Sequence, residues 1–431
     1  TASSVDIRDG GTLNISNGEL ESTGKFDHDG ELTMSGGTLD INGEYESSAT
    51  STESISGGTI TCAGEWDGAN DDAFTPSGGT VIMNSSSDKN LAQHASSNFF
   101  NLTIANSGGD VDVTAALDVD GDLTINASAD LDVGGGNANL ELAGNFTNNG
   151  TFTTSGESFT FDGSGDKTSS AISDAALDVV INKSSSGSVT FSGTCSFDEF
   201  TVTAGKAAMT SNTITADNTI SIADGAELEI GTGTFNADGA INANTSGEID
   251  FTGAGKLICS SSITSLGDLD HEAGTVEIDG ATTSIPTETF YNLSIKTAGT
   301  KQATGAITVE NDLTTGSTSN CKLDMQGNNL TLKGNLNVQA TDGLDLSDAS
   351  CTFTMGGTSA QSITHAGVSA AGSSTLLSED FENSGSIPSG WTNTRTSGST
   401  DWQYVHGGRD GSNPSAPNGG SYNAVFWRDN F

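Results

Sequence analysis

Short stretches in which every second residue is apolar recur along the middle of the chain. Between Asn218 and Cys259 these stretches begin at Ile220, Leu228, Phe235, Ile241, Ile249 and Leu257. An apolar, polar, apolar order such as Leu228-Glu229-Ile230 is typical of a strand with one buried side. Gly, Asn and Asp occupy the intervals and suit tight turns. The pattern therefore predicts short β-strands, about seven residues apart, with a corner between each pair.

A Gly-Gly-Thr triplet followed by an aliphatic residue occurs four times near the start of the chain. The triplets begin at Gly10, Gly36, Gly57 and Gly78, at spacings of 26, 21 and 21 residues. Three seven-residue strands make the same 21-residue length, which predicts a right-handed, three-sided parallel β-helix with one strand on each side per turn. The residues expected to point into it are Leu39, Ile41, Ile60, Leu228, Ile230, Ile249 and Phe251.

A longer pattern follows, with a short strand, a polar loop and a second strand entered by an apolar residue. Its copies are Val81–Met83 with Phe99–Ile104, Phe159–Phe161 with Leu177–Ile181, and Val276–Ile278 with Phe290–Ile295. We therefore predict a stalk over residues 1–371, with 21-residue repeats in 1–96 and longer repeats in 97–371. Helical periodicity is absent, and glycine interrupts nearly every window.

The composition limits the kinds of partner that the protein can bind. The 431 residues include 56 acidic and 14 basic ones, for a formal net charge of −42. This charge repels nucleic acid and anionic membranes and favours cation binding, so we expect no nucleic-acid partner. No run approaches the ~20 apolar residues of a membrane span, so we expect no membrane insertion. Five isolated cysteines support neither a zinc site nor a disulfide framework, and Cys62 and Cys259 take core positions of the repeats.

The composition changes in the last 60 residues, which hold three of the four Trp, three of the four Arg and three of the five Pro. We therefore predict a second domain over residues 372–431. Its aromatic residues can stack on sugar rings or fill the core of a β-sandwich, and the core is the preferred interpretation. The residues that would stack on a glycan are Trp391, Trp402, Tyr404 and Trp427.

Several strings resemble known families. Gly-Asp-Leu-Thr-Ile (121–125), Phe-Tyr-Asn-Leu-Ser-Ile (290–295) and Gly-Thr-Ser-Ala-Gln-Ser-Ile-Thr (357–364) resemble the repeats of large Bacteroidetes-type surface proteins that are similar to adhesins. Such proteins are often cargo of the type IX secretion system. The resemblance implies a secreted, extracellular protein of the bacterial cell surface with a structural or adhesive role. Its implied partners are surface glycans, other cells, the type IX machinery and further copies joined end to end.

The tail carries a second resemblance. Ser378-Glu379-Asp380-Phe381-Glu382, Ile387-Pro388-Ser389-Gly390-Trp391 and Asp401-Trp402-Gln403 occur in that order. This order is similar to the start of MAM-like jelly rolls, with cleaved-adhesin and choice-of-anchor J domains as the closest in pattern. The resemblance implies a jelly-roll (β-sandwich) domain that is incomplete within residues 372–431.

Catalysis is not expected. Polysaccharide lyases on β-helices need a basic residue beside carboxylates that hold calcium, whereas this chain has no Arg between Arg8 and Arg395. Inverting hydrolases on this fold use stacked Asp residues with a nearby His and Arg, and the Asp71-Asp72 pair has neither close to it in sequence. A polysaccharide-binding protein remains the alternative to a structural stalk, and a β-helix polysaccharide lyase is a weaker third reading. No cofactor is expected beyond possible Ca²⁺.

Calcium has one weak candidate site, at Asp118, Asp120 and Asp122. Alternating carboxylates before a glycine are found in EF-type loops. Because Leu123-Thr124-Ile125 has the pattern of a strand where further ligands would be needed, a corner between two strands is favoured. Asp27-His28-Asp29 offers one imidazole between two carboxylates, and a solvated turn is expected there instead of a metal site.

Overall fold

The computed structural model describes residues 1–69, 74–134, 138–184 and 186–365, and the backbone of 403–406 and 422–425. Two compact units, Thr1–Gly367 and Val368–Phe431, divide the chain. No helix occurs in the described residues, and about 54% of them lie in strands. The first unit is a β-solenoid of about 16 turns. In the second, Gln403–His406 and Tyr422–Val425 form an antiparallel pair.

Each turn places strands on three faces, and every pairing within the solenoid is parallel. The predicted three-sided parallel arrangement is therefore confirmed. The first face consists of Val5–Ile7, Phe26–His28, Tyr45–Ser47, Trp66–Gly68, Lys89–Gln93, Val111–Val113, Asp130–Asp132, Thr151–Thr153, Cys195–Phe197, Thr213–Ala216, Thr234–Ala237, Lys256–Cys259, Thr275–Ile278, Asn292–Ile295, Leu313–Thr315, Leu336–Val338 and Ile363–His365.

The second face begins with the strand Thr12–Ile15. Its other strands are Leu117–Val119, Leu140–Leu142, Ser158–Phe161, Asp178–Asn182, Phe200–Ala204, Ile220–Ile222, Ser284–Ile285, Gly299–Ala303, Cys321–Asp324 and Leu344–Asp345. Four long strands run across the corner into the third face, namely Glu31–Ile41, Thr52–Cys62, Ile241–Phe251 and Ile263–Asp270.

The third face begins with the strand Glu19–Ser22. Its other strands are Gly78–Met83, Asn101–Ile104, Leu123–Ile125, Phe146–Asn148, Lys167–Ser169, Ser188–Phe191, Lys206–Met209, Glu227–Ile230, Glu288–Phe290, Ile307–Val309, Leu330–Leu332 and Phe353–Met355.

The register confirms the 21-residue turn. Leu39, Ile60, Val81, Leu102 and Leu123 stack in succession at intervals of 21 residues. Because side chains alternate across a strand, this register directs the same positions inward on every turn. The seven residues that the sequence predicts to point inward are all buried, and none exposes more than 2% of its surface.

The first Gly-Gly-Thr triplet does not stack with the other three. Thr38 stacks on Thr59 and Thr59 on Thr80, but Thr12 pairs with Glu31 on another face. The first-turn partner of Thr38 is Glu19. Only the second, third and fourth triplets therefore stack on one another.

Backbone conformation explains this difference. In the stacked triplets the second glycine, Gly37, Gly58 or Gly79, has a positive φ, and Gly18 takes this place in the first turn. A Cβ on Gly58 would also lie 2.8 Å from the main-chain oxygen of Gly36. In the first triplet it is Gly10, the first glycine, that has a positive φ.

The two strands of each longer unit stack directly on one another. Val81 pairs with Leu102, Phe159 with Val179 and Val276 with Leu293. The longer unit is therefore not a second kind of repeat. It is one turn of the same solenoid, read from one strand to the strand that stacks on it.

The core runs along the inside of the stacked turns. Near the start it is aromatic, with Tyr45 and Trp66 stacked at a centroid distance of 3.9 Å and Phe74 and Phe99 packed edge-on to Trp66. Burying one such apolar side chain contributes about 1.5–3 kcal/mol, and the narrow core repeats this on each turn. Cys62 and Cys259 are buried in it, as predicted, and all five cysteines are free.

Candidate functional site

The weak calcium candidates lie at the corner between the second and third faces. Asp118 is on the strand Leu117–Val119, and Asp120 and Asp122 follow in the corner, as the strand pattern of the sequence predicts. The Asp120 carboxylate accepts a hydrogen bond of 2.6 Å from the Asn98 amide. Asp120 is thereby tied to the preceding turn.

Asp122 belongs to a column of side chains that cap main-chain amides. Its main-chain N–H donates to Asn101 Oδ1 at 2.8 Å, and its own Oδ1 accepts from the main-chain N–H of Asn145, also at 2.8 Å. Asn145 Oδ1 in turn accepts from the main-chain N–H of Thr168 at 3.0 Å. We call Asn101, Asp122, Asn145 and Thr168 the corner column. Asn101, Asp122 and Asn145 each accept a main-chain amide that the strand ladder leaves open at the corner, and Thr168 donates the last of these.

A second column repeats this arrangement near the other end of the solenoid. Asn292 Oδ1 accepts from the main-chain N–H of Asp312, Asp312 Oδ1 from that of Asn335, and Asn335 Oδ1 from that of Ser362. Asp312 therefore has the same structural role in this column as Asp122 has in the corner column.

Asp118 is half-buried and faces outward, directly beside Glu141 on the next turn. The pKa of Asp118 is raised to about 7, by burial first and then by the charges of Asp120, Glu141 and Asp162. A bound cation would offset this repulsion. Calcium binding at Asp118, Asp120 and Asp122 stays a prediction.

The described residues bring two other groups of three carboxyls close enough to share one ion. These are Asp110, Asp112 and Asp132, and Glu227, Glu229 and Asp250. Asp118, Asp120 and Asp122 are in neither group. Sequence reasoning missed both groups, although the signal was available as acidic residues one turn apart at outward positions.

The second group belongs to two adjacent columns on the third face. Glu229, Asp250 and Asp270 stack in one, which we call the acidic column. Glu227, Glu248 and Asp268 stack beside it, above Lys206. Oxygen ligands in such an array suit Ca²⁺.

Charge repulsion in this array is only partly neutralised. Lys206 Nζ lies 2.6 Å from Glu227 Oε1 and 2.7 Å from Glu229 Oε2. Burial raises the pKa of Asp250 to about 6, with Glu227 and Asp270 the largest charge contributions. The pKa of Glu248 is raised in the same way, by burial first.

His28 corrects the expectation of a solvated turn. It lies on the strand Phe26–His28, is fully buried, and its Nδ1 is 3.1 Å from Glu53 Oε1 and 3.2 Å from the Tyr45 hydroxyl. Phe26 and His28 point inward while Asp27 points outward, so the segment alternates like any other strand here. A buried pair of this kind is costly to break, because one partner would be left charged in the core.

The remaining candidates lie outside what the structure describes. Trp391, Trp402 and Trp427 are outside the described residues, as is the Asp71-Asp72 pair. Tyr404 lies on the strand Gln403–His406, of which only the backbone is described. Glycan stacking by these residues stays a prediction.

The described residues contain no helix long and apolar enough to cross a membrane. Comparison of the chain with protein-family models, with curated proteins and with solved structures found no match. The fold itself defines the class of the protein. It is a repeat protein whose first unit is a parallel β-solenoid.

Proposed function

We propose that the solenoid is a rigid, non-catalytic stalk of a secreted bacterial surface protein with a structural or adhesive role. The observation that carries this proposal is the pairing of turn on turn over three faces, through about 16 turns. In such a stack each turn presents its main-chain groups to the next, and stiffness follows from the repetition. At about 4.8 Å per turn, the stack measures roughly 75 Å.

The exterior also supports an extracellular stalk. Outward positions carry most of the excess of 56 acidic over 14 basic residues, and this charge keeps an elongated protein soluble and apart from its copies. The resemblance to secreted repeat adhesins points the same way. Surface glycans or other cells are then the targets of the attached binding module, and type IX export is the route that the resemblance suggests.

Surface labelling tests the proposal. Antibodies against the solenoid should label intact cells of the native host, and external protease should remove the signal. Labelling only after the cells are permeabilised would contradict a surface stalk. Incubating the purified chain with polyuronates and calcium should release no unsaturated product, and release would favour the lyase instead.

A whole-turn deletion tests the stalk role. Removing Lys206–Ala226 deletes one turn, because Glu227 then occupies the place of Lys206 on Ser188. The shortened protein should fold and reach the surface, and repeated deletions should weaken adhesion in step with stalk length. The matched control removes Lys206–Ala216, about half a turn, and should fail to fold. Adhesion that does not depend on stalk length would contradict the role.

A further inference from the structure

Lys183 is a fully buried lysine whose Nζ contacts main-chain oxygens. It follows the strand Asp178–Asn182, and its exposure is 0%. Its Nζ donates to the main-chain oxygen of Asp162, one turn earlier, and lies 3.4 Å from that of Ala143, two turns earlier. No described carboxylate forms an ion pair with it. An ammonium group buried in this way is costly unless its charge is neutralised.

The side chain of Asp162 has the complementary problem. Its Oδ1 is buried and makes no hydrogen bond to another described residue. Burial raises the pKa of Asp162 and lowers the pKa of Lys183, so the environment favours the neutral form of each. The amine and the carboxyl therefore belong to adjacent turns, at the same corner.

Lys301 shows what a satisfied buried lysine looks like in this fold. It is also 0% exposed, but its Nζ is surrounded by three main-chain oxygens, of Thr297, Ala298 and Gly299, and by the Thr297 hydroxyl. Lys183 has two main-chain oxygens, one of which belongs to the residue whose carboxyl is unsatisfied. The contrast marks Lys183 and Asp162 as a reactive pair.

We propose that Lys183 and Asp162 condense into an isopeptide bond that staples two adjacent turns. The Nζ lone pair attacks Asp162 Cγ, the N–C bond forms, and the C–O bond to the carboxyl hydroxyl breaks. A proton from the nitrogen leaves with that hydroxyl as water, so no oxidant or other reactant is required. Nζ already contacts the main-chain oxygen of Asp162, and the reaction requires the two side chains to move until Nζ reaches Cγ.

The product resolves both burial problems. The amide is neutral, so it removes a buried ammonium and an unsatisfied carboxyl together. It also closes a covalent loop between turns, which reduces the freedom of the unfolded chain. A bond of this kind suits a stalk under load, although the inference does not depend on the proposed function.

Mass spectrometry of the intact protein tests the bond. The chain is expected to be lighter than its sequence by one water, and trypsin should leave Lys183 uncut within a branched peptide that contains Asp162. Lys183→Arg and Asp162→Ala should each restore the full mass, since neither can form the bond. Lys301→Arg, the matched control, should keep the water loss.

Two results would overturn the inference. One is a wild-type mass equal to that of the sequence. The other is a water loss that persists in Lys183→Arg, which would place the dehydration within the Asp162-Gly163 dipeptide as a succinimide. The branched peptide of the wild type is read directly, so the test holds even where a variant folds poorly.

Discussion

The corner column and the acidic column place polar side chains one turn apart in the same way, with opposite consequences. In the corner column the side-chain oxygens of Asn101, Asp122 and Asn145 each accept a main-chain N–H of the next turn. In the acidic column Asp250 stacks between Glu229 and Asp270 with no donor between them. A solenoid therefore repeats the interaction of one position on every turn. A column stabilises the fold when hydrogen-bond acceptors alternate with donors along it.

A carboxylate placed at position 230, inside the core and next to Glu229 of the acidic column, should have the largest effect on stability. Glu229 faces outward, whereas Ile230 is fully buried. Ile230→Asp should destabilise the solenoid by about 4 kcal/mol or more, because a charge without a partner enters a narrow apolar core. Urea unfolding measures this, with Ile230→Val as the control at about 1 kcal/mol. An unchanged midpoint for Ile230→Asp would refute the register.

Breaking the corner column should have the next largest effect. Asn145→Ala leaves the Thr168 N–H without its acceptor and removes the side-chain donor to Asp122 Oδ1, while the main-chain donor of residue 145 remains. The expected cost is therefore about 1–3 kcal/mol. Thermal unfolding provides the measurement.

Asn145→Asp sharpens the comparison, because it turns the corner column into a second acidic column. It keeps an acceptor for Thr168 but sets a carboxylate against that of Asp122. Its destabilisation should shrink as the pH falls or salt is added. A loss of stability that is independent of both would show that geometry, and not charge, governs the column.

Relieving the acidic column should stabilise the protein modestly. Asp250→Asn removes the central charge without breaking the ion pairs of Lys206, which are with Glu227 and Glu229. The raised pKa of Asp250, about 6 against 3.8, means that the folded state binds its proton more tightly. That contribution to stability is present below pH 4 and is lost as the pH rises through 6.

Asp250→Asn should therefore melt higher than the wild type at pH 7 and depend less on pH between 4 and 6. Scanning calorimetry at the two ends of this window gives the comparison. A variant that melts lower at pH 7 would show that Asp250 has a stabilising partner.

Salt should produce the smallest effect. At physiological ionic strength the screening length is about 8 Å, which spans the separation of adjacent turns. Raising the ionic strength or adding millimolar calcium should raise the melting temperature of the wild type, and should raise that of Asp250→Asn less. Melting curves that coincide at low and high salt would mean that the charges are too dispersed to matter.

Much of the fold could be predicted because each strand alternates in and out over only three or four residues. Leu228, Ile230, Ile249 and Phe251 were placed inward from this alternation alone. His28 was missed because its two acidic neighbours resemble a solvated turn, although Phe26-Asp27-His28 alternates correctly. The first Gly-Gly-Thr triplet looks the same as the other three in sequence, because the sequence does not show which glycine takes the left-handed conformation.

The remaining features depend on the register between stacked turns, which cannot be read from the sequence. Loops change the interval between stacked residues from 17, between Val276 and Leu293, to 27, between Leu336 and Ile363. The contact of Lys183 with Ala143 spans 40 residues and two turns. Pairs such as this, and the carboxyl groups that share a face, become visible only when the turns are stacked.

Distances between spin labels along one column test the stacked turns most directly. Thr61, Ile82, Thr103, Thr124 and Thr147 are successive partners on the third face. Labels at Thr61 and Thr103 should lie about 10 Å apart, and labels at Thr61 and Thr147 about 19 Å apart, because each turn adds about 4.8 Å. Separations that do not increase by about 4.8 Å with each turn would contradict the solenoid.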